Sequence, residues 1–155
     1  MAQYDSHDAA KVIHADYVRR RKEAGDVASK YPAMLPWDQL SESYREANRH
    51  QADHISVKLR AVECVVISTN EVKSKPEANW SDEEIETLSK MEHQRWNANR
   101  LLEGWQFGTR DDFRKRHPNL VPWEDLDEAT RDYDRNAVKQ IPELIRLTQK
   151  VIVRA

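Results

Sequence analysis

The sequence has one cysteine and three glycines in 155 residues, and each scarcity narrows the possible folds. A single thiol, Cys64, excludes an internal disulfide and fits a reducing compartment. It lies in the apolar run Cys64-Val65-Val66-Ile67, the setting of a small buried hydrophobe. So little glycine, set beside 34 % charged and 39 % apolar residues, favours charge-rich helices over a sheet protein. No apolar run approaches the length needed to span a bilayer. The stretch MAQYDSHDAA lacks the basic and apolar regions of a secretory leader, so a cytoplasmic location without membrane insertion is expected. Net charge is also missing. At −2 the chain has no bulk attraction to nucleic acid, and an anionic ligand would need locally clustered arginines. Finally, there is no GxSxG, no P-loop, no GxGxxG and no nucleophile–base pair, so no enzyme activity is expected. His50 and His54 have the i, i+4 spacing of a two-histidine metal site. They lack the glutamate of HExxH and a third ligand, and read as an exposed helix face.

What is present is a repeated phrase. MLPWDQL at 34–40 returns as LVPWEDL at 120–126. Upstream, His14, Tyr17, Arg21 and Gly25 match His93, Trp96, Arg100 and Gly104 at an offset of 79. Downstream the offset is 86, pairing Pro32 with Pro118, Trp37 with Trp123, Glu42 with Glu128, Arg45 with Arg131 and Arg49 with Arg135. The second copy therefore carries seven extra residues within GWQFGTRDDFRKRHP. The chain reads as one compact tandem module over 1–155. A first repeat spans 9–67, a linker 68–86 and a second repeat 87–153.

Each half predicts helix, loop, helix and short strand. Ser81 with Glu84 forms a capping box, Ser41 and Asp127 are N-caps of the later helices, and Gly104 is a helix stop. Tyr133, Ala137, Ile141 and Leu144 form one stripe, which Pro142 must bend or restart. The β-branched segments CVVIST and KVIVRA are strands that can pair across a pseudo-twofold axis. The fold class is mainly α, with two pseudo-twofold-related helix–loop–helix repeats. Trp37 and Trp123, each after a proline, are expected to plug the base of their own repeats.

The helix at 82–103 raises the question of chemistry. Wound at 100° per residue, Leu88, Met91, Ala98, Leu102 and Trp105 share a sector expected to face the core. His93, Trp96 and Arg100 fall nearly opposite. Either that face packs on the other repeat, or Trp96 is a stacking platform beside an arginine suited to phosphate or carboxylate. A pseudo-symmetric arrangement would bring Tyr17 and Arg21 towards Trp96 and Arg100. His14 and His93 read as supporting residues.

HQRWNANRLLEGWQFG, RDD, HPNLVPWEDL and RDYDRNAV closely resemble the ryanodine receptor repeat, the RyR domain. The first half resembles a degenerate copy without the Gly-Trp turn and the Arg-Asp-Asp step. In the calcium-release channels such repeats come in tandem and lie away from the pore. Similar prokaryotic and phage-type tandem modules stand alone or join transport-regulatory and nucleotide-binding domains. The resemblance implies a non-catalytic sensor that binds an ATP- or ADP-like ligand between the repeats. It implies Tyr17 and Trp96 as the stack, Arg21, Arg100 and Arg110 for phosphate, and Asn48 and Asp134 for polar contacts. No metal or cofactor is expected, and the expected partner is a nucleotide. A homodimer or a larger host protein is compatible with this reading. The alternative is a protein–protein interaction or regulatory module of a transport or signalling complex.

Overall fold

The computed structural model describes residues 6–72 and 75–155. Lys73 and Ser74 of the expected linker, and the first five residues of MAQYDSHDAA, lie outside the described residues. The elements are α1 (Ser6–Glu23), α2 (Glu42–Ala61), β1 (Cys64–Ser68), α3 (Asp82–Leu102), β2 (Gln106–Phe107), β3 (Arg116–His117), α4 (Glu128–Lys139), α5 (Ile141–Arg146) and β4 (Lys150–Arg154). The fold is mainly α, as expected. Among the described residues no helix is long and apolar enough to cross a membrane.

Local signals act where the sequence puts them. Ser81 Oγ accepts the Glu84 N–H at 3.2 Å while Glu84 Oε2 accepts the Ser81 N–H at 2.9 Å, completing the capping box. Asp127 accepts the Thr130 N–H at 2.7 Å, and Ser41 accepts the Tyr44 N–H at 3.4 Å. α4 stops at Lys139 and α5 restarts at Ile141, because Pro142 has no N–H to continue the ladder. Gly25 and Gly104 end the first helix of each repeat at φ +88° and +87°. A Cβ at Gly104 would meet nothing within 4 Å, so only backbone strain opposes a side chain there. Gly104→Ala is expected to lower stability by about 1–2 kcal/mol in urea unfolding. No loss would mean that the left-handed turn is not required.

The chain divides into two compact units. One comprises the chain up to Ala78 together with Pro142–Ala155; the other is Asn79–Ile141. In the first, α1 packs on α2 around Ala10, Ile13, Met34, Ala52, Ile55 and Leu59. β1 pairs antiparallel with β4, with Cys64 opposite Arg154 and Ser68 opposite Lys150. Glu77 bridges to Val153 on β4, and the Ala78 N–H donates to the Ile152 carbonyl at 2.9 Å. The end of the linker thus adds to the sheet. His50 pairs with Glu46 at 3.2 Å, and His54 Nδ1 lies 3.0 Å from the buried Lys58 Nζ. Among the described residues no group of three or more metal-ligating side chains converges.

In the second unit α3 packs on α4. Arg135 ties them together, with Nε and Nη2 at 2.9 and 3.1 Å from the Glu86 carboxylate. The packed face of α3 is not the one its apolar periodicity indicates. Leu88 is buried, but Ala98 is exposed, Leu101 is 60 % exposed and Leu102 is 83 % exposed. The buried side chains are Leu88, Ser89, Glu92, His93 and Asn99, and Trp96 falls at the centre of their arc. Polar groups fill this face because each has a partner: Ser89 Oγ donates to the Ile85 carbonyl at 2.6 Å, and Arg95 Nη2 donates to Glu92 at 2.7 Å. Tyr133 also departs from its expected stripe and is exposed, whereas Val138, Ile141, Leu144 and Ile145 are buried.

The duplication extends to individual hydrogen bonds. His14 Nε2 meets the Leu35 carbonyl at 2.8 Å, and His93 Nε2 meets that of Val121 at 2.7 Å. Arg45 Nε donates to the Trp37 carbonyl at 2.9 Å, and Arg131 Nε to that of Trp123 at 3.2 Å. Glu63 and Gln149, which precede the equivalent strands, both have positive φ, +52° and +60°.

Candidate functional site

In the second unit the site is assembled from α3 and the loop that follows it. Gly104 turns the chain back, and the Trp105 N–H donates to the Arg100 carbonyl at 3.0 Å. The seven extra residues then form an ordered excursion. Gln106–Phe107 pairs parallel with Arg116–His117, and Asp111 and Arg116 exchange backbone bonds of 3.1 and 2.9 Å. Asp111 Oδ1 also accepts the Arg114 N–H at 3.0 Å, so part of the Arg-Asp-Asp step is architectural. The result carries His117 to the face of α3.

There the His117 ring meets Trp96 edge-on at 4.9 Å and Trp105 at 6.3 Å. The Arg100 guanidinium lies 5.1 Å from the Trp105 ring and 5.8 Å from Trp96, within cation–π range of both. Its ion pair to Glu103 is long, 3.7 Å. Arg110 is on the exposed loop, 3.2 Å from Asp112. Burial, then the positive charges of Arg110 and Arg100, push the His117 imidazole below the ordinary histidine value.

His93 is held on both sides. Nε2 donates to the Val121 carbonyl, and Nδ1 lies 3.4 Å from Asp134 Oδ2. Both nitrogens therefore face acceptors, the arrangement of an imidazolium. Burial opposes that charge, but the bonds to Asp134 and Val121 outweigh it and raise the pKa above the ordinary value. The ring also stacks on Trp96 at 5.9 Å and 20°. Asn97 Nδ2 donates to the same Val121 carbonyl at 2.9 Å.

The first unit has a simpler version. The Arg21 guanidinium lies 4.5 Å from the Tyr31 ring and 6.0 Å from Tyr17, with Nε 2.9 Å from Asp26. His14 keeps its bond to Leu35, but Asn48, at the position equivalent to Asp134, donates back to the Tyr44 carbonyl at 2.9 Å.

Of the residues named from sequence, the structure brings together Trp96 with Arg100, His93 with Asp134, and Tyr17 with Arg21. Arg110 acts on the cluster through charge, and Asn48 is engaged within its own helix. Trp105 was expected in the core-facing sector of α3 and not at this cluster, and His117 and Tyr31 were not named. The repeat itself carried the signal, since His117 precedes Pro118 as Tyr31 precedes Pro32.

A family model of the RyR domain matches residues 74–152, just over half of the chain. The match contains α3, the loop excursion, α4 and the first three residues of β4, and hence the whole cluster around Trp96. It agrees with the resemblance carried by the His-Trp-Arg helix and the HPNLVPWEDL segment. The chain belongs to the RyR domain family.

Proposed function

We propose that the chain is a non-catalytic ligand-binding module whose ligand is an adenine nucleotide or a nucleotide-derived signal. Membership of the RyR domain family suggests a regulatory or interaction module, and a sensor is one such module. The observation that carries the finer reading is the cluster of Trp96, Trp105, His117 and Arg100. It combines planar faces for a base with a guanidinium whose ion pair, to Glu103, is long at 3.7 Å. Arg110 adds a second cation for phosphate, and Tyr17 and Arg21 are the corresponding residues of the first repeat. The reading needs no metal and no cofactor, and its setting is the cytoplasm. Engagement of both His93 nitrogens supports binding without turnover, because neither is available as a general base.

Base stacking contributes roughly 1–3 kcal/mol, and charge-assisted contacts to phosphate add to it. Micromolar affinity, about 8 kcal/mol, is the expected scale. Calorimetry with ATP, ADP-ribose and cyclic dinucleotides tests this. The wild type should bind at least one of them, and Trp96→Ala should weaken it by roughly 5- to 150-fold. No heat with any ligand, or unchanged affinity in a folded Trp96→Ala variant, overturns the proposal. Tyr17→Ala is the companion variant: a parallel loss would assign the ligand to both repeats, and no loss to the second alone.

A second reading, a protein-interaction module, is favoured by the exposure of Leu101, Leu102, Phe107 and Phe113. Single scattered apolar side chains are ordinary on protein surfaces, so this observation weighs less than the built cluster.

A further inference from the structure

His117 stands apart from the other residues of the cluster in its hydrogen bonding. Its Nδ1 lies 3.1 Å from the Asn119 backbone N–H, which can only donate. Nδ1 must therefore accept, and the neutral ring carries its proton on Nε2. Among the described residues no acceptor is paired with that Nε2–H. Two cations, Arg110 and Arg100, act on His117, and Asp112, the ion-pair partner of Arg110, acts more weakly in the opposite sense. An unused donor near two guanidinium groups is an arrangement suited to an anion.

We infer that His117 donates its Nε2–H to a phosphate of the bound nucleotide, as a neutral ligand beside Arg100 and Arg110. The inference rests on the nucleotide-binding reading and identifies the end of the ligand that this loop holds. Trp96, against which His117 stands edge-on, then takes the base or ribose side. Burial and the nearby cations favour the neutral ring, and the Asn119 N–H keeps the proton on the useful nitrogen. The equivalent position of the first repeat is Tyr31, which carries no imidazole and has the Arg21 guanidinium over its ring at 4.5 Å.

The test uses the full chain with ADP as the probe. His117→Ala removes the donor, and His117→Gln returns an N–H close to the position of Nε2. Alanine should weaken ADP about tenfold or more, the scale of a hydrogen bond to a charged group. Glutamine should recover most of that loss. In the wild type, the His117 Nε2–H resonance should move downfield as ADP saturates the protein. Equal losses in the two variants would assign His117 a role of shape and overturn the inference, as would an unmoved Nε2–H at saturation. Either result leaves the nucleotide reading standing if Trp96→Ala still weakens ADP. Failure of the wild type to bind ADP overturns the inference, and the nucleotide reading falls with it only if ATP, ADP-ribose and cyclic dinucleotides also give no heat.

Discussion

Replacement of Trp123 by alanine is expected to cost about 3–5 kcal/mol in chemical unfolding, the usual range for deleting a buried tryptophan. Trp123 is 5 % exposed. Its ring lies 6.1 Å from His93 and under two guanidinium groups, Arg131 at 5.3 Å and Arg135 at 5.6 Å. Arg135 in turn ties α4 to Glu86 on α3, so the ring sits beneath the main polar link between these helices. Removing it leaves a cavity and takes support from that link. Trp37 is the control that the duplication provides. It occupies the same place in the first repeat but is half-buried, with one guanidinium, Arg49, at 6.0 Å. Trp37→Ala should cost about 1–2 kcal/mol, in proportion to the smaller apolar area lost. Equal losses would show that the two phrases have the same structural weight, contrary to their burial.

The second large effect depends on pH. In Asp134→Ala the buried His93 loses the carboxylate that favours its charge. A hydrogen bond to a charged group contributes roughly 1.5–3 kcal/mol, and this is the expected loss where the imidazolium dominates. The folded pKa of His93 is raised, so its contribution is fully present below the unfolded value of about 6.5. It is lost as pH rises through the higher folded value. Wild-type stability should therefore fall across that window, whereas Asp134→Ala should be flatter and closest to wild type on the alkaline side. Urea midpoints at a series of pH values, with an NMR titration of the His93 ring, measure both. A variant that is lower than wild type by a constant amount at every pH would show that the pair is not titrating.

The elements were legible because their signals are local. Ser81 and Glu84, Gly104, Pro142 and the β-branched ends each act within a few residues, and the repeat confirmed them twice. The orientation of α3 was not legible. Periodicity assigns polar residues to solvent, but Ser89, Glu92 and His93 are buried with partners, while Leu101 and Leu102 face out. His93 depends on Val121 and Asp134, 28 and 41 positions away, and no window along the helix contains them. The same limit hid His117. It reaches Trp96 only because a two-residue parallel ladder folds the extra loop back, and the sequence shows the extra length without its path. Trp96 was singled out on the premise that its face lies away from the core, and that face is the packed one.

The return of β4 to the first unit reverses the order in which the two units can be completed. Asn79–Ile141 is one uninterrupted segment, whereas the other unit needs Lys150–Arg154 to pair with β1. On a ribosome, where synthesis adds roughly 5–20 residues per second, the segment that starts later has all its residues first. Until β4 emerges, β1 waits with an open edge of β-branched residues and no charge to guard it. A chain truncated after Ile141 would leave that edge exposed for good, so aggregation of such fragments is to be expected even though the second unit is whole.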